Sequence, residues 1–270
     1  MGTSTLPAIL TIAGSDSSGG AGIQADVKTI AAHGLFAECA ITAITAQNTC
    51  GVRSIQNIDP VVVADQIDMV FEDIRPAAVK IGMVSSSAII EKIAERLKRW
   101  EAQNIVVDPV MVATSGARLI DVEAQEALTL QLFPLATLIT PNIPEAKLLA
   151  GTPIKDEKSQ EQAARLLVQR YGCATLVKGG HRVNEASDAL AYETNDGLQT
   201  TWFTHPRVDN PNTHGTGCTL SSAIACGLAQ NLPLVDAVEA AKRYLTGALE
   251  AQLDLGQGSG PLDHMWRYRR

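Results

Sequence analysis

The densest run of chemistry-bearing residues is Asn212-Thr213-His214-Gly215-Thr216-Gly217-Cys218, which leads into a small-residue helix expected over 219–228. Glycines let backbone N–H groups approach an anion closely, and the first turn of a helix adds unpaired donors and a positive dipole end. Gly215, Thr216 and Gly217 could therefore hold a phosphoryl group in transfer, whose charge spreads over its oxygens. The plainer alternative is a glycine-rich turn that only starts a helix. Cys218 stands where such a helix would depress a thiol pKa, which would suit a base toward a hydroxyl. A small buried residue is the alternative there.

Other polar residues fall in a pattern. Gly14, Ser15 and Asp16 follow one apolar run, and Gln47 and Asn48 follow the next. Asp108, Asn142 and Lys178 each follow a later one. Asn142-Ile143-Pro144-Glu145 reads either as a helix cap with Glu145 completing the box, or as a place for Glu145 beside a hydrated Mg²⁺, a hard cation that prefers carboxylates, water and phosphate oxygens. Lys178-Gly179-Gly180-His181 offers a cation followed by glycines that admit a nucleotide phosphate. Asp26 reads as a site residue or as an acid near a helix start that complements the dipole.

The elements that must position these residues are short apolar runs rich in Ile, Val and Thr at 8–13, 39–45, 78–81, 105–107, 137–140 and 175–177, which predict strands. Helical spacing of apolar residues predicts helices over 60–71 and 234–252. Apolar strands separated by helices imply a mostly parallel sheet buried on both faces, an α/β sandwich in one domain spanning 1–270. Every polar group above then lies just past a strand's carboxyl end, the edge where open α/β sheets bind ligands. At 188–203, Asn195-Asp196-Gly197 between two short runs predicts a hairpin, either a lid or an edge.

Bulk properties exclude several classes. A formal net charge of −7 argues against nucleic acid, which is bound through clustered Lys and Arg. No apolar run approaches the ~20 residues of a membrane span. Five cysteines without a CxxC pair fit reduced thiols, so a cytoplasmic protein is expected.

Together these motifs resemble the ribokinase-like superfamily and, within it, the hydroxymethylpyrimidine/phosphomethylpyrimidine kinases of thiamine biosynthesis. The resemblance rests on the segments 14–26, 46–52, 80–83, 108–111, 140–145, 178–181 and 212–219, in the family's order. It implies a three-layer α/β/α sandwich, assembled as a homodimer, and two successive ATP-dependent phosphorylations. It implies substrate contacts at Gly14, Asp26, Gln47, Met83 and Val110. It places nucleotide and Mg²⁺ around Asp108, Thr140, Asn142, Glu145, Lys178, Gly180, Thr216 and Gly217, with Asp108 and Glu145 on the metal side; a monovalent cation is left open. Cys218 occupies the place where sugar kinases of the superfamily carry an aspartate base. Loss of Cys218 is then expected to harm the first phosphorylation more than the second, whose nucleophile is a phosphate oxygen. A glutamine amide presents an acceptor beside a donor, complementary to an aminopyrimidine edge, which makes Gln47 the candidate reader of the ring.

Three rivals remain at this stage. A pyridoxal kinase shares the class. Gly20-Ala21-Gly22-Ile23-Gln24-Ala25 formally matches a dinucleotide fingerprint, but it begins well past the strand end and lacks the acidic residue after the second strand. A catalytically silent binder is the third.

Overall fold

The structure, a computed structural model, describes residues 6–111, 120–179 and 185–269. Strand β1 (Ala8–Asp16) leads to α1 (Gly22–Ala32), β2 (Phe36–Asn48) and β3 (Gly51–Asn57). Next come α2 (Pro60–Asp73), β4 (Ala78–Ile81), α3 (Ser87–Arg99) and β5 (Ile105–Val107). Then α4 (Val122–Ala127), β6 (Leu138–Ile139), α5 (Ile143–Ala150), α6 (Glu157–Tyr171) and β7 (Ala174–Val177) follow. A hairpin of β8 (Glu185–Thr194) and β9 (Gly197–Pro206), then α7 (Thr216–Ala229) and α8 (Leu234–Glu250), ends the order.

Among the described residues these nine strands form one sheet in the order β3-β2-β1-β4-β5-β6-β7-β8-β9. From β2 to β7 all neighbours pair in parallel, while β3, β8 and β9 join antiparallel at the two sides. The period-two alternation of each strand divides the core. Leu10, Ile12, Val79, Ile81, Ile105 and Val107 face the layer of α2 to α6. Ile9, Ala78, Val106 and Leu138 face α1, α7 and α8. Both faces are covered, so the central strands read as unbroken apolar runs. The expected three-layer α/β/α sandwich is the observed fold.

Local chemistry sets the helix starts. Asp59 caps α2 by accepting from the Val61 N–H at 2.8 Å, with Pro60 in the first turn where no donor is needed. Asn142 and Glu145 form a reciprocal capping box on α5. The expected helix over 219–228 begins earlier, at Thr216, because Gly215 with φ +83° turns the chain into it. The 188–203 hairpin is an edge of the sheet, with β9 outermost.

The chain leaves β1 toward α1 on one face and leaves β4 toward α3 on the other. The crevice between the carboxyl ends of β1 and β4 is thus a topological switch point, where such sheets bind ligands. Beneath it lies a buried ion pair. Lys80 from β4 donates to both oxygens of Asp26 on α1, at 2.8 and 2.9 Å, and both side chains are fully inaccessible. Thr11 of β1 and Ser222 of α7 donate to the same carboxylate at 2.6 and 2.8 Å. No helix of the described residues is long and apolar enough to cross a membrane.

Candidate active site

A cleft of about 740 Å³ opens at the carboxyl edge of the sheet, bounded by α7, α8 and the segment after β9. It gathers Asp108, Val110, Asn142, Glu145, Lys178 and the turn Gly215–Cys218 on one wall. Their sequence separation reaches 110 residues, from 108 to 218, and the sheet order together with the packing of α7 brings them together.

Asp108 follows β5, and Lys178 follows β7. The Lys178 ammonium donates to Asp108 Oδ1 at 2.8 Å, and Thr140 Oγ1 donates to the same oxygen at 3.1 Å. Burial works against the Lys178 charge, yet Asp108 and then Glu145 outweigh it and hold the ammonium above its ordinary range. The other oxygen, Asp108 Oδ2, faces α7. A β-carbon on Gly217 would stand 2.9 Å from that oxygen and 3.5 Å from the Lys178 ammonium. Only glycine lets the first turn of α7 approach this pair so closely. No side chain caps α7, so its first-turn amides add donors and a positive dipole end.

Glu145 is buried, and its two oxygens accept from the N–H groups of Met111 and Asn142, each at 2.9 Å. Burial raises its pKa, opposed by Lys178 and reinforced by Asp108. The bond to Met111 holds a strained turn, because Val110 adopts φ +46°, which costs a β-branched residue of order 1–3 kcal/mol. Glu145 thus shapes the wall while also lining the cleft. Thr140 is fully buried and donates to Asp108 Oδ1 from beneath the cleft wall. Among the described residues no cluster of His, Cys, Asp and Glu could cage a metal ion. Mg²⁺ demands no such cage; one carboxylate, several waters and substrate phosphates suffice. Asp108 Oδ2 beside the α7 turn fits that need.

Cys218 sits half-buried on the cleft wall, above Lys80 and Asp26. Burial pushes its thiol up to about 11, against the lowering effect of the Lys80 ammonium. The expected depression is not found: burial outweighs the lowering effect of Lys80 and of the Gly22 N–H, and the resting thiol is protonated at neutral pH.

Gly14, Gln47 and Met83 lie outside the large cleft, around the adjoining switch-point crevice. The Met83 Cε stands 2.5 Å from where a β-carbon on Gly14 would be. The Gln47 amide lies 3.2 Å from Thr45 Oγ1 and 3.3 Å from His214 Nε2. Asp26, expected to touch substrate, has no accessible surface and serves as the floor. Gly180 lies outside the described residues.

Two pairs escaped the sequence reading. His214 Nε2 lies 2.8 Å from Asp16 Oδ2, stapling the loop after β1 to the turn before α7. Hydrogen bonds from Ser18 and His214 outweigh burial and lower the Asp16 pKa. The second pair is Lys80–Asp26, whose signal was a lone charge inside the apolar run Ala78–Ile81.

An uncapped, glycine-bearing helix start, a lysine and a carboxylate converging at the carboxyl edge of a parallel sheet are the parts of a phosphoryl-transfer site. Comparison with known proteins makes the class specific. A model of the phosphomethylpyrimidine kinase family matches residues 16–263, and the chain belongs to that family. It is 47% identical over 262 residues to the hydroxymethylpyrimidine/phosphomethylpyrimidine kinase of Rhizobium meliloti, covering 96% of this chain and 97% of that protein. It is 49% identical over 257 residues to the thiamine biosynthesis bifunctional protein ThiED of Geobacter sulfurreducens, covering 95% of this chain and 52% of that longer protein. An ADP complex of Bacillus subtilis pyridoxal kinase has the same fold, with a TM-score of 0.89, 34% identity, and 98% of this chain and 100% of that chain covered.

Gly217→Ala tests the close approach directly. The new methyl meets Asp108 Oδ2 at 2.9 Å, so turnover should fall by roughly 10²–10³-fold, as on losing a preorganised oxyanion donor. Thermal stability should fall as well, by about 1–3 kcal/mol, because the methyl must displace a buried, paired carboxylate. Steady-state kinetics with a melting curve on the same preparation checks both.

Proposed function

We propose that this protein transfers the γ-phosphoryl group of ATP to 4-amino-5-hydroxymethyl-2-methylpyrimidine and then to the resulting monophosphate, yielding the pyrophosphate. The observation that carries the reading is the convergence of Lys178, Asp108 and the α7 first turn on one cleft beside Cys218. In the first step the hydroxymethyl oxygen attacks the γ-phosphorus and the bond to the β-phosphate oxygen breaks, releasing ADP. In the second, a phosphate oxygen of the monophosphate is the nucleophile. Lys178 and the amides of Gly217 and Cys218 hold the transferring group's oxygens. Asp108 would hold Mg²⁺, and the ion, when bound, would offset charge on the nucleotide phosphates. The outer cleft, walled by Pro206, Val208, Leu245 and Leu249, takes the nucleotide base.

Gln47, Gly14, Met83 and Val110 bound the pyrimidine. The pyridoxal kinase of the same fold makes the pyridine ring the second substrate to test, but the Gln47 amide favours an aminopyrimidine edge. Incubation with ATP, Mg²⁺ and either ring, followed by mass spectrometry, decides the matter. Pyrimidine mono- and then diphosphate is expected; pyridoxal phosphate alone would overturn the substrate, and no product from either would overturn the activity.

With its pKa at about 11, the Cys218 thiol must lose a proton before it can act as base. The thiolate fraction rises as pH climbs toward that value, so turnover of the alcohol should increase from pH 7 to 9. The monophosphate is already ionised above its pKa of about 6, so its turnover should stay flat. Cys218→Ala should remove the pH rise for the alcohol and spare the second step. Equal losses on both substrates in single-turnover assays count against Cys218 as base.

The dimer is proposed on the β3 edge. Every residue of β3 is exposed, and Val52 and Ile55 leave 52% and 57% of their surface open. An open apolar edge strand pairs readily with another chain, and a second copy covers it. Sedimentation should give a dimer, and Ile55→Lys a monomer; a monomeric parent at micromolar concentration would remove the proposal.

A further inference from the structure

Asp188 and Lys242 have no part in the site as built so far, yet both are buried against the cleft. Lys242 lies on the inward face of α8, four residues after Val238 and three before Leu245, where an apolar residue is expected. Its ammonium donates to Asp188 Oδ2 at 2.7 Å, with side-chain exposures of 6% and 5%. The other oxygen, Asp188 Oδ1, accepts from the Gly179 N–H at 2.7 Å.

That amide follows Lys178 in the chain. The last paired residues of β7 and β8 are Val177 and Ala189, so the ladder ends there and the Asp188 carboxylate takes over the next donor. Lys178 is then fixed on both sides: its own N–H donates to Pro141 O at 2.9 Å, and the following N–H is held by Asp188. An ionised carboxylate this deep is tolerated only with a counter-charge, and Lys242 supplies it.

We infer that the Lys242–Asp188 ion pair is a positioning device for Lys178, with Lys242 neutralising a carboxylate whose task is to hold the Gly179 amide and so aim the Lys178 side chain at the cleft. The inference rests on the phosphoryl-transfer reading above. Two other roles compete with it. The pair could contribute to stability alone, or Lys242 could touch the nucleotide itself.

Two double variants, both free of buried charge, separate these roles. Asp188→Asn with Lys242→Gln keeps an acceptor for the Gly179 N–H and satisfies the asparagine amide through the glutamine oxygen. Asp188→Leu with Lys242→Met has similar volume and no acceptor. Positioning predicts that the first retains turnover within about threefold of the parent. The second should lose roughly 10–100-fold in kcat, the scale of a misplacement near 1 Å, with KM for the pyrimidine within about twofold. Equal turnover near the parent's in both variants overturns the inference in favour of a stabilising pair. Equal and large losses overturn it in favour of a direct nucleotide contact. Should the parent phosphorylate neither ring, the functional reading falls by itself. Hydrogen exchange at the Gly179 amide then still decides positioning: slow in the first variant and fast in the second supports it, and equal rates overturn it.

Discussion

The buried pair of Lys80 and Asp26 is the contact on which the rest of the site depends. Taking two charges out of water costs several kcal/mol for each, and only complete partnering offsets it. Partnering here recruits four elements: β4 supplies the lysine, α1 the carboxylate, β1 a threonine and α7 a serine. Those elements meet at one place, under the crevice between β1 and β4. The pair therefore fixes how the glycine-bearing start of α7 sits relative to the loop after β1. It also sets the floor on which Cys218 rests.

Above that floor the charges form a graded series. Lys178 stands between Asp108 and Glu145, and its ammonium is held charged by both. Asp108 is paired with Lys178 through one oxygen, and its other oxygen is turned toward α7. In the proposed reaction a phosphoryl group entering there would meet donors that need not reorganise, which is where most electrostatic rate enhancement arises. Glu145 serves this arrangement indirectly, through the α5 cap and the strained turn at Val110. Strain of this kind persists where surrounding contacts over-determine it. Two hydrogen bonds from backbone N–H groups to one buried carboxylate meet that condition.

Much of this was legible in the sequence. Apolar runs bounded by polar residues located the parallel strands, because strands covered on both faces carry no polar alternation to confuse the reading. Asn195-Asp196-Gly197 located the hairpin, and the glycines around Thr216 located the turn that opens α7. Placing polar residues after strand ends also found Asp108, Asn142 and Lys178, since topology alone sends those ends to one edge. Less was legible where a residue's partners are remote. The start of α7 shifted because the left-handed Gly215 turns the chain earlier than the apolar pattern does. The hydrogen bonds by which Thr140 and Glu145 hold Asp108 and the Met111 turn were not legible, because their partners lie more than thirty residues away.

The sequence by itself determined the layer architecture, the edge that carries the chemistry and the family to which the chain belongs. These follow from local periodicity and from short motifs whose order survives without coordinates. Tertiary structure alone decided which charges are buried and with whom. Lys80 pairs with Asp26 across 54 residues, Lys242 with Asp188 across another 54, and His214 with Asp16 across 198. It likewise decided the protonation of Cys218, where desolvation outweighs the pull of the Lys80 ammonium. Burial and pairing depend on what folding brings together from distant parts of the chain, and no window along the sequence contains both partners.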